Sequence, residues 1–229
     1  KNWSTMGYRV HLIDQRNHGR SFWSSDFSYE LMADDIAYYC SQHSIAKALI
    51  LGHSMGGKTV MQFACKYPEL LHAFVVADIV PKKYPPNHQR ILKGLSELDF
   101  EIIKDRAAAD KKLSEYVPEK GVRQFLLKNL YWVEIGKLGL RINIDVLKHA
   151  SETIGETLND GSRSEHPCLF VKGTLSDHIL DSDTPLIKHY FPNAEQVSIS
   201  NAGHWLHAEK PVQFFDIVTK WLEDKGRFF

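Results

Sequence analysis

The chain has 229 residues, of which 43% are hydrophobic and 24% charged, so it is long enough to bury a sizeable core as one globular domain. Its 28 basic and 28 acidic residues give a formal charge of zero, which argues against a nucleic-acid partner or a charged tail. No apolar run reaches the roughly 18 residues of a membrane span, and three scattered cysteines indicate core thiols in a reducing, cytoplasmic compartment.

The first part of the chain alternates predicted strands with one clear helix. Residues 8–14 predict a first strand, and the apolar run at residues 48–51 predicts a buried second one. Apolar side chains then recur at helical spacing until Pro68, which ends the helix. Residues 73–78 predict a third strand. A strand, a tight turn and a helix therefore follow one another around residue 54.

A long insertion separates the third strand from the rest of the predicted sheet. Pro81 and the pair at residues 85–86 mark the exit from the sheet. Residues 87–158 predict a helical stretch, because apolar side chains keep helical spacing and no alternating strand pattern is present. A segment of this kind, inserted between two sheet strands, predicts a helical cap that controls access to a site.

The last part of the chain returns to alternating elements. Strands are predicted at residues 168–171 and 196–199, with a short helix at residues 186–190 between them. The chain then ends in a helix whose apolar side chains share one face: Phe214, Ile217, Val218 and Trp221. The turn-rich residues 201–205 connect the last strand to this helix.

Residues 52–59 read Gly-His-Ser-Met-Gly-Gly-Lys-Thr and match two motifs at once. The first five form G-x-S-x-G, in which a strained strand-to-helix turn exposes a serine nucleophile, here Ser54. All eight form G-x-x-x-x-G-K-[ST], a phosphate-binding loop whose lysine would be Lys58. Both motifs require a strand before them and a helix after them, so local structure does not decide between them.

Residues further along the chain favour the serine nucleophile. A catalytic serine needs a histidine base, and His204 lies in the turn-rich stretch before the last helix. A phosphate-binding enzyme would use an aspartate on a neighbouring strand to hold Mg²⁺, and Asp78 is available for that role. That alternative leaves His204 unexplained, and its loop usually follows the first strand of the sheet rather than a later one. The phosphate-binding loop therefore stays open as a distant alternative.

Four motifs occur in order along nearly the whole chain. They are Asp-x-Arg-Asn-His-Gly-x-Ser at residues 14–21, Gly-His-Ser-Met-Gly-Gly-Lys at 52–58, Asp-Ile-x-Pro at 78–81 and Gly-His-Trp-x-His-Ala-Glu-x-Pro at 203–211. With these motifs the chain resembles the α/β-hydrolases, in particular the subgroup of small serine esterases and thioesterases. The resemblance implies an α/β fold with a mostly parallel sheet flanked by helices.

The resemblance also implies the domain organisation and the chemistry. We expect a hydrolase core of residues 1–80 and 164–229, and a helical cap of residues 81–163. The expected activity is hydrolysis of a small carboxylic ester or acyl thioester, with no cofactor. No H-E-x-x-H motif or cluster of histidines and cysteines predicts a metal site. The alternative from another functional class is a binding protein that keeps this fold but does not catalyse a reaction.

The beginning of the sequence differs from the family pattern. Residues 1–3 resemble the segment that follows a His-Gly-x-x-Gly-Ser loop in the family, and that loop supplies one donor of the oxyanion hole. The 229 residues contain neither the loop nor the first strands of the sheet. We therefore expect that this sequence is a fragment or lacks disordered parts of the chain, rather than that the protein departs from its relatives here.

Several residues around Ser54 have expected roles in this mechanism. His204 is the expected base, and the backbone N–H of Met55 is the expected first oxyanion donor. Gly52 and Gly56 are expected to make the turn at Ser54 possible, because larger side chains at these two positions would clash in so tight a turn.

Three further side chains near these motifs are expected to have roles outside the reaction. We expect Lys58 to be an exposed residue of the helix after Ser54, unless the motif is a phosphate-binding loop. His53 and His207 are expected to serve orientation and packing.

Two carboxylates compete for the role of the triad acid. Asp177 follows the strand where the family usually places the acid, but the common G-x-x-D spacing falls on Ser176 and leaves Asp177 one residue late. Asp78 ends the strand after the Ser54 helix, and the Asp-Ile-x-Pro motif of the resembling subgroup favours it. Both strand ends face the same edge of the sheet, so either carboxylate could reach His204. The motif makes Asp78 the preferred acid, and Asp177 stays open.

Overall fold

The computed structural model describes residues 2–86 and 89–225. Its α-helices are α1 (Asn2–Thr5), α2 (Tyr29–Gln42), α3 (Met55–Lys66), α4 (Gln89–Ser96), α5 (Arg106–Leu113), α6 (Lys120–Leu126), α7 (Ile144–His149), α8 (Ser151–Gly155), α9 (Thr184–Tyr190), α10 (Leu206–Glu209) and α11 (Pro211–Asp224). Its strands are β1 (Ala48–His53), β2 (Leu71–Ala77), β3 (Leu130–Glu134), β4 (Lys137–Leu140), β5 (Cys168–Gly173) and β6 (Ala194–Ile199). Within the described ranges, no helix is both long and apolar enough to cross a bilayer.

The chain forms two compact units. The sheet unit comprises the described parts of residues 27–87 and 150–229, and the second unit comprises those of 1–26 and 88–149. This division differs from the predicted one, which placed residues 1–80 together in the core. The reason is a set of backbone hydrogen bonds between the two parts of the second unit, from Gly19 N to Arg141 O at 2.7 Å and from Asn143 N to Asn17 O at 2.9 Å.

A four-stranded parallel sheet is the centre of the sheet unit. Its strands lie in the order β1-β2-β5-β6, and every neighbouring pair is parallel. The register aligns the carboxyl ends, because His53 pairs with Ala77, Ala77 with Val171, and Gly173 with Ile199. The segments that follow these strands therefore emerge at one edge of the sheet, where ligands of parallel α/β sheets bind.

Helices cover the sheet because their apolar side chains recur at helical spacing. In α3, residues 57–64 are all buried, and the fully buried Phe63 joins a core that includes Phe74, Phe170 and Phe191. The rings of Phe74 and Phe191 meet edge to face at 5.3 Å, an arrangement that favours aromatic pairs.

Helix α2 packs on α3 and was not predicted from the sequence. The sequence nevertheless contains the signals that are typical of a helix. Ser28 caps the helix by accepting a hydrogen bond from Leu31 N at 3.2 Å, and one face is buried through Met32, Ala33 and Ile36. A serine N-cap before apolar residues at helical spacing is a standard helix start.

The predicted strand at residues 8–14 is not present. These residues have no ladder partner in the described chain, and Leu12 has 95% of its surface exposed. A strand forms only where a neighbour pairs with its backbone groups, so an apolar pattern alone did not suffice.

The expectation of an all-helical stretch at residues 87–158 is wrong in one place, and its first residue, Asn87, lies outside the described residues. Its described residues include five α-helices, but β3 and β4 form an antiparallel hairpin. Gly136 turns the hairpin at a φ of 81°, a conformation that glycine adopts readily. A separate apolar core packs around Leu95, Leu113 and Leu127 in this unit.

Candidate active site

Ser54 occupies a strained turn between β1 and α3. Its φ of 53° and ψ of −119° lie outside the regions that most residues adopt, and its backbone N–H is held by Ala77 O at 3.0 Å. Gly52 makes the turn possible, because a Cβ there would lie 2.2 Å from Gly56 O. The sequence therefore folds into the strand-turn-helix arrangement that exposes a serine side chain.

The expected steric role of Gly56 is wrong. A Cβ at Gly56 would meet nothing within 4 Å, whereas a Cβ at the next residue, Gly57, would lie 2.6 Å from Ile79 Cγ2 and 3.0 Å from Val76 Cγ1. Helix α3 crosses β2 closely at Gly57, so the second glycine that the turn requires is Gly57.

His204 lies beside Ser54, although 150 residues separate the two in sequence. His204 Nε2 is 3.0 Å from Ser54 Oγ. The loop that carries His204 is held by the carboxylate of Glu209, which accepts hydrogen bonds from Gly203 N at 2.8 Å and Trp205 N at 3.2 Å. Gly173 allows the loop to approach β5, because a Cβ there would lie 2.3 Å from Ala202 O.

Asp78 holds the other ring nitrogen of His204. The residue directly follows β2 with a φ of 52°, its side chain is fully buried, and its Oδ2 lies 2.8 Å from His204 Nδ1. Its Oδ1 accepts a hydrogen bond from Gly173 N at 3.1 Å, and its Oδ2 also accepts one from the Ser176 hydroxyl. Three donors thus satisfy the hydrogen-bonding capacity of one buried carboxylate.

Asp177, the rival carboxylate, points away from this cluster. Its side chain is 96% exposed, and its Oδ1 lies 3.4 Å from His178 Nδ1. Ser176, which occupies the position of the common acid spacing, binds Asp78 instead. The structure therefore brings Asp78 to His204 and leaves Asp177 at the surface.

Two further histidines, His178 and His53, contact the His204 ring, and His207 contacts His53. The His178 ring stacks on the His204 ring with centroids 3.8 Å apart and an angle of 16°, while the rings of His53 and His207 lie 4.5 Å from each other. His53 Nε2 donates to His204 O at 2.7 Å. Burial, with neighbouring His204 and His207, lowers the pKa of His53 to about 3, so this ring is neutral and orients the His204 backbone.

Asp78, His178 and His204 also form a group whose ligand atoms lie within 4.8 Å of one another, as a metal site would require. However, Asp78 Oδ2 is already bound by His204 Nδ1 and by the Ser176 hydroxyl. The two imidazole rings are stacked face to face rather than aimed at a common centre. The donor set is thus accounted for by hydrogen bonding around the carboxylate.

Lys58 is not the exposed residue that the sequence predicted. Only 2% of its surface is accessible, and its Nζ donates to Lys82 O at 2.6 Å and to Glu156 O. Its ammonium lies 4.9 Å from the centroid of the Tyr84 ring. Burial, together with nearby Lys82, lowers the pKa of Lys58 to about 7 despite the opposing effect of Glu156. A lysine engaged in this way does not extend toward a phosphate at the turn.

Comparison with known proteins places this geometry in context. A family model described as "alpha/beta hydrolase fold" matches residues 1–98. The sn-1-specific diacylglycerol lipase ABHD11 of Mus musculus is 37% identical over 224 residues, covering 94% of this chain and 72% of that protein. A putative esterase/lipase of Haemophilus influenzae is 34% identical, with 94% and 74% covered. A solved structure titled "Marine microorganism esterase" matches with a TM-score of 0.91 and 39% identity, covering 96% of this chain and 90% of that one.

Proposed function

Because the chain belongs to the α/β-hydrolase family of esterases and lipases, we propose that it cleaves carboxylic esters with Ser54, His204 and Asp78 acting as a catalytic triad. One observation carries the proposal. The three side chains form an unbroken series, with 3.0 Å between Ser54 Oγ and His204 Nε2 and 2.8 Å between His204 Nδ1 and Asp78 Oδ2. This is the order and spacing of a nucleophile, its base and the group that orients the base.

The first half of the reaction forms an acyl-enzyme. His204 Nε2 takes the proton from the Ser54 hydroxyl as Ser54 Oγ bonds to the acyl carbon of the ester. The carbonyl electron pair moves onto oxygen, next to the backbone N–H of Met55 at the start of α3, where N–H groups have no partner within the helix. When the pair returns, the bond to the leaving oxygen breaks and His204 gives that oxygen the proton.

The second half repeats these steps with water. His204 Nε2 accepts a proton from water as the water oxygen bonds to the acyl carbon, and the proton then passes to Ser54 Oγ as the acyl bond breaks. Asp78 keeps the Nδ1–H tautomer of His204 throughout and stabilises the imidazolium that forms. The products are the free acid, the alcohol and the regenerated enzyme.

The name of the mouse relative narrows the proposed substrate class. That protein is named an sn-1-specific diacylglycerol lipase, and we extend to this chain the hydrolysis of esters between fatty acids and glycerol. An acyl thioester remains the competing substrate, because the same acyl-enzyme would form. Rates on matched oxygen esters and thioesters of one fatty acid distinguish the two.

Two alternatives from the sequence remain to be tested by the same assays. A non-catalytic binding protein would keep the fold without turnover, and a phosphate-binding protein would depend on ATP and Mg²⁺. The buried position of Lys58 speaks against the second alternative. We also retain the cytoplasmic location as a proposal, since Cys40, Cys65 and Cys168 are all free thiols.

Hydrolysis of short p-nitrophenyl esters tests the proposal. We expect turnover by the wild-type protein and loss of nearly all of it in Ser54→Ala, with an unchanged circular dichroism spectrum. Ser96→Ala is the matched control, because this exposed serine belongs to the second unit. Wild-type rates in folded Ser54→Ala, or hydrolysis that requires ATP and Mg²⁺, would contradict the proposed function.

A further inference from the structure

The buried lysine of the Gly-His-Ser-Met-Gly-Gly-Lys motif has no role in the mechanism above. Lys58 lies one turn into α3, behind the strained Ser54, with 2% of its surface exposed. Burying an ammonium group is costly unless its donors are satisfied. The contacts that compensate for this cost show which part of the molecule the lysine holds.

Lys58 joins two segments that lie far apart in sequence. Its Nζ donates to Lys82 O, four residues after Asp78, and to Glu156 O just beyond α8. The same two segments are also joined by hydrogen bonds from Tyr84 N to Gly155 O at 2.8 Å and from the Thr157 hydroxyl to Pro81 O at 2.6 Å. Lys58 Nζ therefore lies at the centre of this junction.

Tyr84 extends the junction toward the active site. Two lysine side chains contact its ring, with Lys58 Nζ at 4.9 Å and Lys82 Nζ at 5.3 Å from the centroid. Its hydroxyl accepts a hydrogen bond from Val80 N at 3.1 Å and donates one to His178 O at 2.7 Å. Lysine, tyrosine and the His178 backbone thus form a continuous set of contacts.

His178 completes the connection to the base. Its ring lies against the Tyr84 ring, with centroids 5.8 Å apart, on one side and against the His204 ring, 3.8 Å away, on the other. The loop that carries His178 is tied to the same junction by the ion pair of Lys82 and Asp183 at 2.6 Å. One face of His204 is therefore defined by a ring whose position depends on Tyr84.

We propose that Lys58 is a positioning residue for ester hydrolysis, which acts by holding Tyr84 and thereby the His178 ring against His204. This inference rests on the proposed function of Ser54 and His204. Lys58 touches neither the substrate nor the reacting atoms. It restricts the imidazole orientation that proton transfer requires, and loss of such alignment by about 1 Å costs up to roughly 100-fold in rate.

The test compares Lys58→Met, which keeps the length of the side chain and removes its donors, with Lys66→Met as a matched control. Lys66 ends the same helix in a surface ion pair with Asp34. With p-nitrophenyl butyrate we expect kcat of folded Lys58→Met to fall about 10- to 100-fold, with KM within about twofold of the wild type. Lys66→Met should match the wild type. An unchanged kcat in folded Lys58→Met, or a change confined to KM, would overturn the inference.

Two further variants test the inference, and the first of them, Tyr84→Phe, keeps it open to refutation if Lys58→Met does not fold. Tyr84→Phe keeps the ring and removes only the hydroxyl that binds His178 O, so kcat should fall in the same direction. The double variant Lys58→Met with His178→Ala should lose no more than the larger single loss, because both changes release one contact with His204. Strictly multiplicative losses, or a wild-type kcat in Tyr84→Phe, would contradict it. Full turnover by Ser54→Ala would instead refute the proposed function, independently of the results for the Lys58 variants.

Discussion

Ser176 donates its hydroxyl hydrogen bond to Asp78, to the same carboxylate oxygen that lies 2.8 Å from His204 Nδ1. The position where the family spacing expects the acid thus carries a hydroxyl that supports an acid from a different strand. The two strand ends meet because β2 and β5 are neighbours in register, with Ala77 opposite Val171.

Replacement of the two competing carboxylates gives the first prediction. Asp78→Asn should lower kcat for p-nitrophenyl esters by up to about 10⁴-fold, because the amide no longer fixes the histidine tautomer. Asp177→Asn should leave kcat within about twofold, since substitutions of exposed side chains usually have small effects. Steady-state kinetics of both folded variants measure this. A large loss confined to Asp177→Asn would show that the acid has been misassigned.

Ser176→Ala provides the second prediction. Removal of one hydrogen bond to a charged group typically costs about 1.5–3 kcal/mol, so we expect a decrease of about 10- to 100-fold in kcat with KM nearly unchanged. The comparison is made at one pH, with Asp177→Asn as the neighbouring control. If Ser176→Ala retained the wild-type kcat, its hydrogen bond to Asp78 would have no part in aligning the base.

The third prediction concerns two adjacent glycines. Gly57→Ala should destabilise the protein by about 1–3 kcal/mol, because the new Cβ overpacks against Ile79 and Val76. Gly56→Ala should be neutral or stabilising by about 0.5–1 kcal/mol, since it meets open space in a helix. Urea unfolding followed by fluorescence measures both. The opposite order of stability would mean that α3 does not cross β2 as described.

The fourth prediction follows from the pKa of Lys58, which burial lowers to about 7 from an ordinary value of 10.5. Between these two values the unfolded chain binds a proton that the folded chain does not, so the contribution of Lys58 to stability increases with pH. The free energy of unfolding of the wild type, relative to Lys58→Met, should rise by about 1–2 kcal/mol from pH 7 to pH 9.

Lys66→Met is the control for this measurement. A hydrogen bond to Asp34 raises the pKa of Lys66, so this lysine stays charged in both states below its ordinary pKa. Its stabilising effect is therefore constant across this window and is lost only at higher pH. A pH-independent difference between the wild type and Lys58→Met would show that Lys58 keeps its charge in the folded protein.

Local sequence signals predicted the parts of the molecule that local interactions determine. The turn at Ser54 follows from Gly52 and from the apolar strand and helix on either side, and the α/β-hydrolase fold implied by the four motifs is confirmed. Helix α9 and strand β6 likewise lie where the apolar spacing predicted them. Patterns of this kind depend on periodicity alone.

Features that depend on distant partners were not predictable in the same way. The burial of Lys58 requires carbonyl groups from residues 82 and 156, which nothing near Lys58 indicates. Asp78 and Asp177 both follow strands of one sheet, so only side-chain direction separates them, and that direction depends on Gly173 and Ser176. Residues 8–14 carry an apolar pattern but have no ladder partner among the described residues.

Labelling with a fluorophosphonate, followed by peptide mass spectrometry, tests the central claim most directly, because this reagent forms a stable bond only with an activated serine. We expect one adduct on Ser54 in the wild type, with labelling slowed by several orders of magnitude in His204→Ala, whose serine has no base. Folded Ser54→Ala should give no adduct. A folded wild-type protein that is not labelled, or an adduct on a serine other than Ser54, would contradict the assignment of Ser54 as a nucleophile activated by His204.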